Sequence, residues 1–177
     1  MLLTYRLPRE PSTPRSAVWR KLRKLGVAQI SDGLVALPVG GRTREQLEWV
    51  AEEVTDAGGT AAIWIARPTT RSYEDQLIAA MAAARAAEYR ALTAAAASAA
   101  ASPSDSTARG GVLRRLRNEL RAIQRRDYFP PDDRDRAETA VQAMADASAR
   151  QPAPPAGGRQ AAAGSAGPAR RPGREAP

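Results

Sequence analysis

The sequence contains neither cysteine nor histidine. Their absence removes disulfides, thiolate zinc sites, imidazole general bases, Cys–His nucleophiles and histidine metal sites together. Aromatics are scarce, with one Phe, four Tyr and three Trp among 177 residues. Lysine is almost missing: only Lys21 and Lys24 carry an ammonium, so the basic charge is nearly all guanidinium. No apolar stretch reaches the roughly 18 residues that a membrane span needs. Residues 1–7 show no basic-then-apolar signal pattern. A cytoplasmic protein with no cofactor and no membrane partner is the expectation. What the chain has in excess is positive charge, 27 Lys and Arg against 19 Asp and Glu, for a formal net charge of +8. Such a surface attracts anions.

Composition changes sharply along the chain. Residues 150–177 hold Pro, Ala, Gly and Arg with no Leu, Ile, Val or aromatic residue. That text cannot bury enough apolar surface to offset chain entropy, so a disordered tail is expected, carrying Arg159, Arg170, Arg171 and Arg174. A second break, ASPSDSTARGG at 101–111, reads as a linker over 98–110. A compact unit over 1–97 and an Arg-rich helical extension of the same domain over 111–149 remain.

The compact unit alternates strand and helix signals. Residues 2–7 (LLTYRL) suit a central strand. Thr13 before Pro14 reads as a helix start, Val18, Leu22 and Leu25 give an apolar stripe, and Gly26 is the stop. Residues 27–30 and 34–38 flank Asp32-Gly33, a hairpin turn signal. Thr43 with Gln46 resembles a capping box, and Leu47, Val50 and Val54 form the stripe of the next helix, which Gly58-Gly59 closes. A fourth strand follows at 60–66, then a long third helix over about 73–97. The order β-α-β-β-α-β predicts an α+β, ferredoxin-like fold, a four-stranded antiparallel sheet with two helices on one face. The other face needs the third helix, the 111–149 segment or a second subunit of a homodimer.

Chemistry must come from Asp, Glu, Arg, Lys, Tyr, Ser and Thr. Asp132, Asp133 and Asp135 cluster in PPDDRDR, but the interleaved Arg134 and Arg136 favour a helix start, where acidic residues suit the dipole, over a metal site. Gly40-Gly41 lacks the spacing and the Lys of a phosphate loop. No catalytic residue and no metal ligand is assigned. The basic residues are better organised. One cluster includes Arg20, Lys21, Arg23 and Lys24; the second comprises Arg114, Arg115, Arg117, Arg121, Arg125 and Arg126. In the second, Leu113, Leu116, Leu120 and Ile123 form a buried stripe and the guanidinium groups fan over the rest of the circumference. Arg pairs bidentately with phosphate, and each phosphate neutralised adds affinity through counterion release. Trp19, Trp49 and Trp64 are expected to pack in the core.

Several separated blocks carry a family resemblance. YRLPREPS at 5–12, VWRKLRKLG at 18–26, SDGLVALP at 31–38 and TREQLEWVAEEVTDAGG at 43–59 together resemble the N-terminal domain of ChrB-type chromate-resistance regulators. LRRLRNELRAIQRRDYFPP at 113–131 resembles the helical extension that closes that domain. The VWRKLRKLG and DGLVALP blocks are also similar, more weakly, to the sheet domain of phenylacetate-pathway repressors. The resemblance implies a bacterial protein of transcriptional control, with DNA contacts on the two basic helices. Full-length members carry a further C-terminal domain with a Cys-containing segment tied to sensing; this sequence has no Cys, so chromate as an effector is not carried over. Small CRISPR-associated nuclease-like proteins share the fold and place an aspartate at the end of the first strand to hold a metal. Here that segment is Thr4-Tyr5-Arg6-Leu7, which disfavours a metal-dependent nuclease. The expected function is a non-enzymatic, DNA-associated regulator binding through Arg–phosphate contacts. The alternative is an interaction module that docks its Arg-rich helices on an acidic protein.

Overall fold

The computed structural model describes residues 1–10, 12–102 and 106–150. Its elements run β1 (Leu2–Arg6), α1 (Ser12–Leu25), β2 (Ala28–Ser31), β3 (Leu34–Ala36), α2 (Gly41–Asp56), β4 (Thr60–Trp64), α3 (Arg71–Ala101), α4 (Ser106–Gln124) and α5 (Asp133–Arg150). The tail expected from residue 150 lies outside the described residues beyond Arg150, which ends α5. Among the described residues no helix is long and apolar enough to cross a membrane.

The four strands form one antiparallel sheet in the order β2-β3-β1-β4. This is the ferredoxin-like α+β arrangement, with β1 and β3 in the centre. The side-chain period of two sorts the strands into an inner and an outer set. Leu3 stands opposite Val35 and Ile63, and Leu3 and Val35 are fully buried. Over them lie Val18 and Leu22 of α1 and Leu47, Val50 and Val54 of α2, all fully buried. These are the stripes that the 3.6-residue period predicts.

The same alternation corrects the reading of two tryptophans. Trp64 is in register with Leu2, one residue out of phase with the inner row, so it faces outward and is 55% exposed. Its indole Nε1 donates to Thr4 Oγ1 at 3.1 Å. Trp49, on α2, is 56% exposed, because Leu47 and Val50 already fill the positions that face the sheet. Trp19 alone packs against the sheet core, partly buried. Thr43 also differs from expectation. The cap position of α2 is Gly40, and the Thr43 hydroxyl instead shares its one proton between the Pro38 and Gly40 carbonyls, 2.8 and 2.9 Å away.

Asp32-Gly33 does turn the β2–β3 hairpin, with only the glycine at positive φ, +74°. A Cβ at Gly33 would stand 2.3 Å from the Tyr5 carbonyl oxygen. The turn therefore lies directly on β1, where the Tyr5 amide donates to the Gly33 carbonyl at 2.8 Å. Only glycine serves there.

A second core assembles beyond the sheet. Tyr89, Leu92 and Ala96 of α3 pack with Leu113, Leu116 and Ile123 of α4 and Ala137, Val141, Met144 and Ala145 of α5. Leu120 of the predicted α4 stripe joins them partly buried. Residues 98–110, read from sequence as a linker, complete α3 to Ala101 and open α4 from Ser106, with 103–105 outside the described residues. Alanine has the highest helix propensity and carries α3 past the expected end at 97. Helices α4 and α5 do not lie over the outer face of the sheet; they fold back on the far half of α3, and of the 111–149 segment it is Phe129 that reaches that face. The near half of α3 skirts that face, leaving an apolar groove of about 660 Å³ lined by Leu2, Ile30, Leu34, Leu77, Met81 and Phe129 among others.

Candidate functional site

The two basic clusters sit on helices that differ in what holds their charges. On α1 the apolar stripe turns Val18 and Leu22 inward, so Arg20, Lys21, Arg23 and Lys24 are all exposed. Lys21 is ion-paired with Glu53 of α2. Arg20 Nε donates to its own helix, to the Ser16 carbonyl at 3.2 Å. On α4, Arg114, Arg115, Arg117, Arg121 and Arg125, which directly follows the helix, are exposed. Arg121 donates to Asn118 Oδ1 at 2.8 Å. Among the described residues no carboxylate forms an ion pair with Arg23, Lys24, Arg114, Arg115, Arg117 or Arg125. At about 100° per residue, Arg114, Arg117, Arg121 and Arg125 fall within about 80° of one another, a single stripe about 16 Å long.

Arg126 behaves differently. It is partly buried where α4 ends, and its Nη2 donates to Glu88 Oε2 at 2.9 Å. Glu88 accepts a second guanidinium at its other oxygen, from Arg85 Nη2 at 3.1 Å. Both arginines come against Gly26, at the end of α1. A Cβ on Gly26 would stand 2.8 Å from Arg85 Nη1 and 2.9 Å from Arg126 Cβ, and its φ is +75°. This glycine thus ends α1 and admits the two side chains to the same corner. The next residues clamp the corner. Asp127 Oδ2 accepts from the Tyr89 hydroxyl at 2.8 Å, and the Tyr128 hydroxyl donates to the Leu25 carbonyl at 3.1 Å.

The result is a cleft of about 630 Å³ where α1, β2, α3 and the end of α4 meet. Arg20, Arg23 and Lys24 from the first cluster and Arg126 from the second line it together. The structure does not bring Lys21 or the α4 arginines 114, 115, 117, 121 and 125 into that cleft. Sequence reasoning missed Arg85, which lies in alanine-rich helical text; its one local signal is Glu88 three residues on, a helical ion-pair spacing. Burial pulls the Arg85 guanidinium below its usual pKa, while Glu88 opposes that shift. Trp19 forms a wall of this cleft and of a neighbouring hollow lined by Arg6 and Arg15.

The acidic residues are placed otherwise. Asp133 and Asp135 lie in the first turn of α5. The Asp133 carboxylate faces Arg90 at 3.2 Å and Arg136 at 3.9 Å. No group of three or more acidic residues suited to a metal ion forms among the described residues.

Residues 15–102, from the first turns of α1 to the end of α3, match the family described as "Protein ChrB, N-terminal". Over that span the chain belongs to the ChrB N-terminal family. This is the regulator type, associated with chromate resistance, that the sequence blocks resemble. The ChrB match includes Arg20, Lys21, Arg23, Lys24, Arg85 and Glu88, and it stops before α4. The stripe on α4 and Arg126 therefore stand on their own geometry. No curated protein and no solved structure matches the chain.

Proposed function

We propose that this ChrB-type chain is a non-enzymatic, DNA-associated regulator that holds duplex DNA mainly through Arg–phosphate contacts. The observation that carries the reading is the set of exposed cations on α1 and α4 with no carboxylate partner among the described residues: Arg23, Lys24, Arg114, Arg115, Arg117 and Arg125. A structural arginine is normally spent on an acid, as Arg126 is on Glu88. None of these six is held by an acid among the described residues, so their charge is left for a partner. Their spacing along α4 lets several reach one backbone, and each phosphate engaged releases condensed counterions. Base readout is assigned to none of them, because phosphate contacts position a protein without reading sequence.

The test is a binding titration with a duplex over a salt series, comparing wild type with the Arg114→Ala/Arg117→Ala/Arg125→Ala variant. The variant is expected to melt like wild type and to bind far more weakly. Its plot of log affinity against log salt should flatten by about 0.9 for each phosphate that is no longer neutralised. Unchanged affinity and slope would remove α4 from the DNA surface. Absence of duplex binding at low salt, with capture by an acidic protein surface instead, would replace this reading by the interaction-module one.

A further inference from the structure

The corner at Gly26 holds more positive charge than the fold uses. Arg20, Arg23, Lys24, Arg85 and Arg126 line the cleft, and the one carboxylate among its lining residues is Glu88. Glu88 is already divided between Arg85 and Arg126. The side chains of those two arginines are only 11% and 22% exposed, and the Nε donor of each is buried without a hydrogen-bond partner. A buried donor left unmade costs stability, and more so on a charged group. Arg23 and Lys24 lie in the last turn of α1, where the helix dipole favours cations. That accounts for the rim. It does not account for two inward guanidinium groups sharing one acid.

We propose that this cleft is a receptor for one compact oxyanion group, phosphate-like in shape and charge, taken between Arg85 and Arg126 on the floor and Arg23 and Lys24 on the rim. Glu88 takes the Nη2 of each floor arginine, so the two guanidinium groups are held in place before the ligand arrives. A divided carboxylate neutralises only part of the pair, which keeps the site cationic. The volume lies within the range of small-ligand sites. Two sources share this chemistry, a nucleic-acid backbone phosphate and a free inorganic oxyanion. The site shares α1 with the proposed DNA surface, and in the free-anion case it does not rest on that reading.

The experiment uses the full chain and inorganic phosphate, with chloride at matched ionic strength as the reference. Phosphate should raise the melting temperature saturably, while chloride should not. Arg85→Gln should abolish the response; because it also breaks a structural ion pair, the deciding variant is Arg23→Ala/Lys24→Ala, both exposed and free of carboxylate partners among the described residues. That variant should fold, melting at most a few degrees below wild type without phosphate because the α1 dipole loses its two cations, and should need at least about tenfold more phosphate for the same shift, as expected when about one charge-assisted hydrogen bond is removed. Arg9→Ala/Arg71→Ala, exposed and outside the cleft, should respond like wild type. Equal curves in phosphate and chloride, or an unaltered response in the rim variant, would overturn the proposal. Where phosphate also competes with duplex beyond the effect of matched chloride, the bound group is a backbone phosphate; where duplex affinity is indifferent to it, the ligand is a free oxyanion. A phosphate response in a chain that binds no duplex would leave this site standing and remove the DNA reading.

Discussion

Replacing Tyr89 by Phe removes one oxygen from the helical core and leaves the ring. Tyr89 is fully buried among α3, α4 and α5, and its hydroxyl donates to Asp127 Oδ2 at 2.8 Å. Asp127 Oδ1 is buried with no hydrogen-bond partner, so the hydroxyl is the main protein donor to this carboxylate. Ring packing is retained in the variant, and the loss is a hydrogen bond to a charged acceptor, about 1.5–3 kcal/mol. At about 2–4 °C per kcal/mol for a chain of this size, Tyr89→Phe should melt about 3–12 °C lower at neutral pH. Tyr89→Ala, which also opens a cavity, should lose more. Thermal melts followed by circular dichroism, with a denaturant series to check that the slope is unchanged, provide the measurement. Alkaline pH gives an independent handle. Burial first, then the hydrogen bond to Asp127, hold the Tyr89 hydroxyl well above the usual tyrosine pKa. A folded-state pKa raised above the unfolded value gives stability that is full below about pH 10 and declines as pH climbs toward the folded value. Burial raises Tyr5 and Tyr128 too, so the decline persists in Tyr89→Phe but should be shallower than in wild type. A variant within about 1 °C of wild type and with the same alkaline slope would refute the reasoning, since Asp127 would then be finding an equal partner elsewhere.

Glycines separate steric need from tolerance. Gly26→Ala should destabilise by about 1–3 kcal/mol, as positive φ adds to the close approach of Arg126, whereas Gly110→Ala in α4, with nothing within 4 Å, should raise stability by about 0.4–1 kcal/mol; equal and opposite melting shifts are not expected, but opposite signs are. Leu116→Ala should cost about 2–5 kcal/mol because the side chain is 1% exposed in the helical core. Its neighbour Arg117→Ala should stay within about 0.5 kcal/mol, and denaturant midpoints that failed to separate the two would mean that the buried face of α4 is wrongly oriented.

The sheet unit was legible because each local signal agreed with the global one. Val18 and Leu22, then Leu47, Val50 and Val54, recur at helical spacing and are buried together on one side of Leu3 and Val35. Asp32-Gly33 could be read because a residue at positive φ leaves a mark in sequence. Trp64 was misread for an equally physical reason. In the apolar run TAAIWIA a strand's period of two has no polar residue to reveal its phase, so which side faces the helices is set by register with β1 alone. The exposed charges of the candidate site were likewise visible, since an amphipathic helix declares its outer face once its inner one is known. The cleft was not. Its floor joins Arg85 with Arg126 across 41 residues, through a carboxylate on α3 and a glycine on α1. No spacing rule connects such positions. They meet because α3 is long enough to belong to both cores: its start runs beside the sheet, its end packs with α4 and α5, and the turn after α4 brings Arg126 and Tyr128 back to the end of α1. The corner is thus a product of helix length and of where the second core places the return turn. A change in the length of α3 between Arg85 and Tyr89, even one that kept every charge, would rotate Glu88 by about 100° per residue and separate the two guanidinium groups.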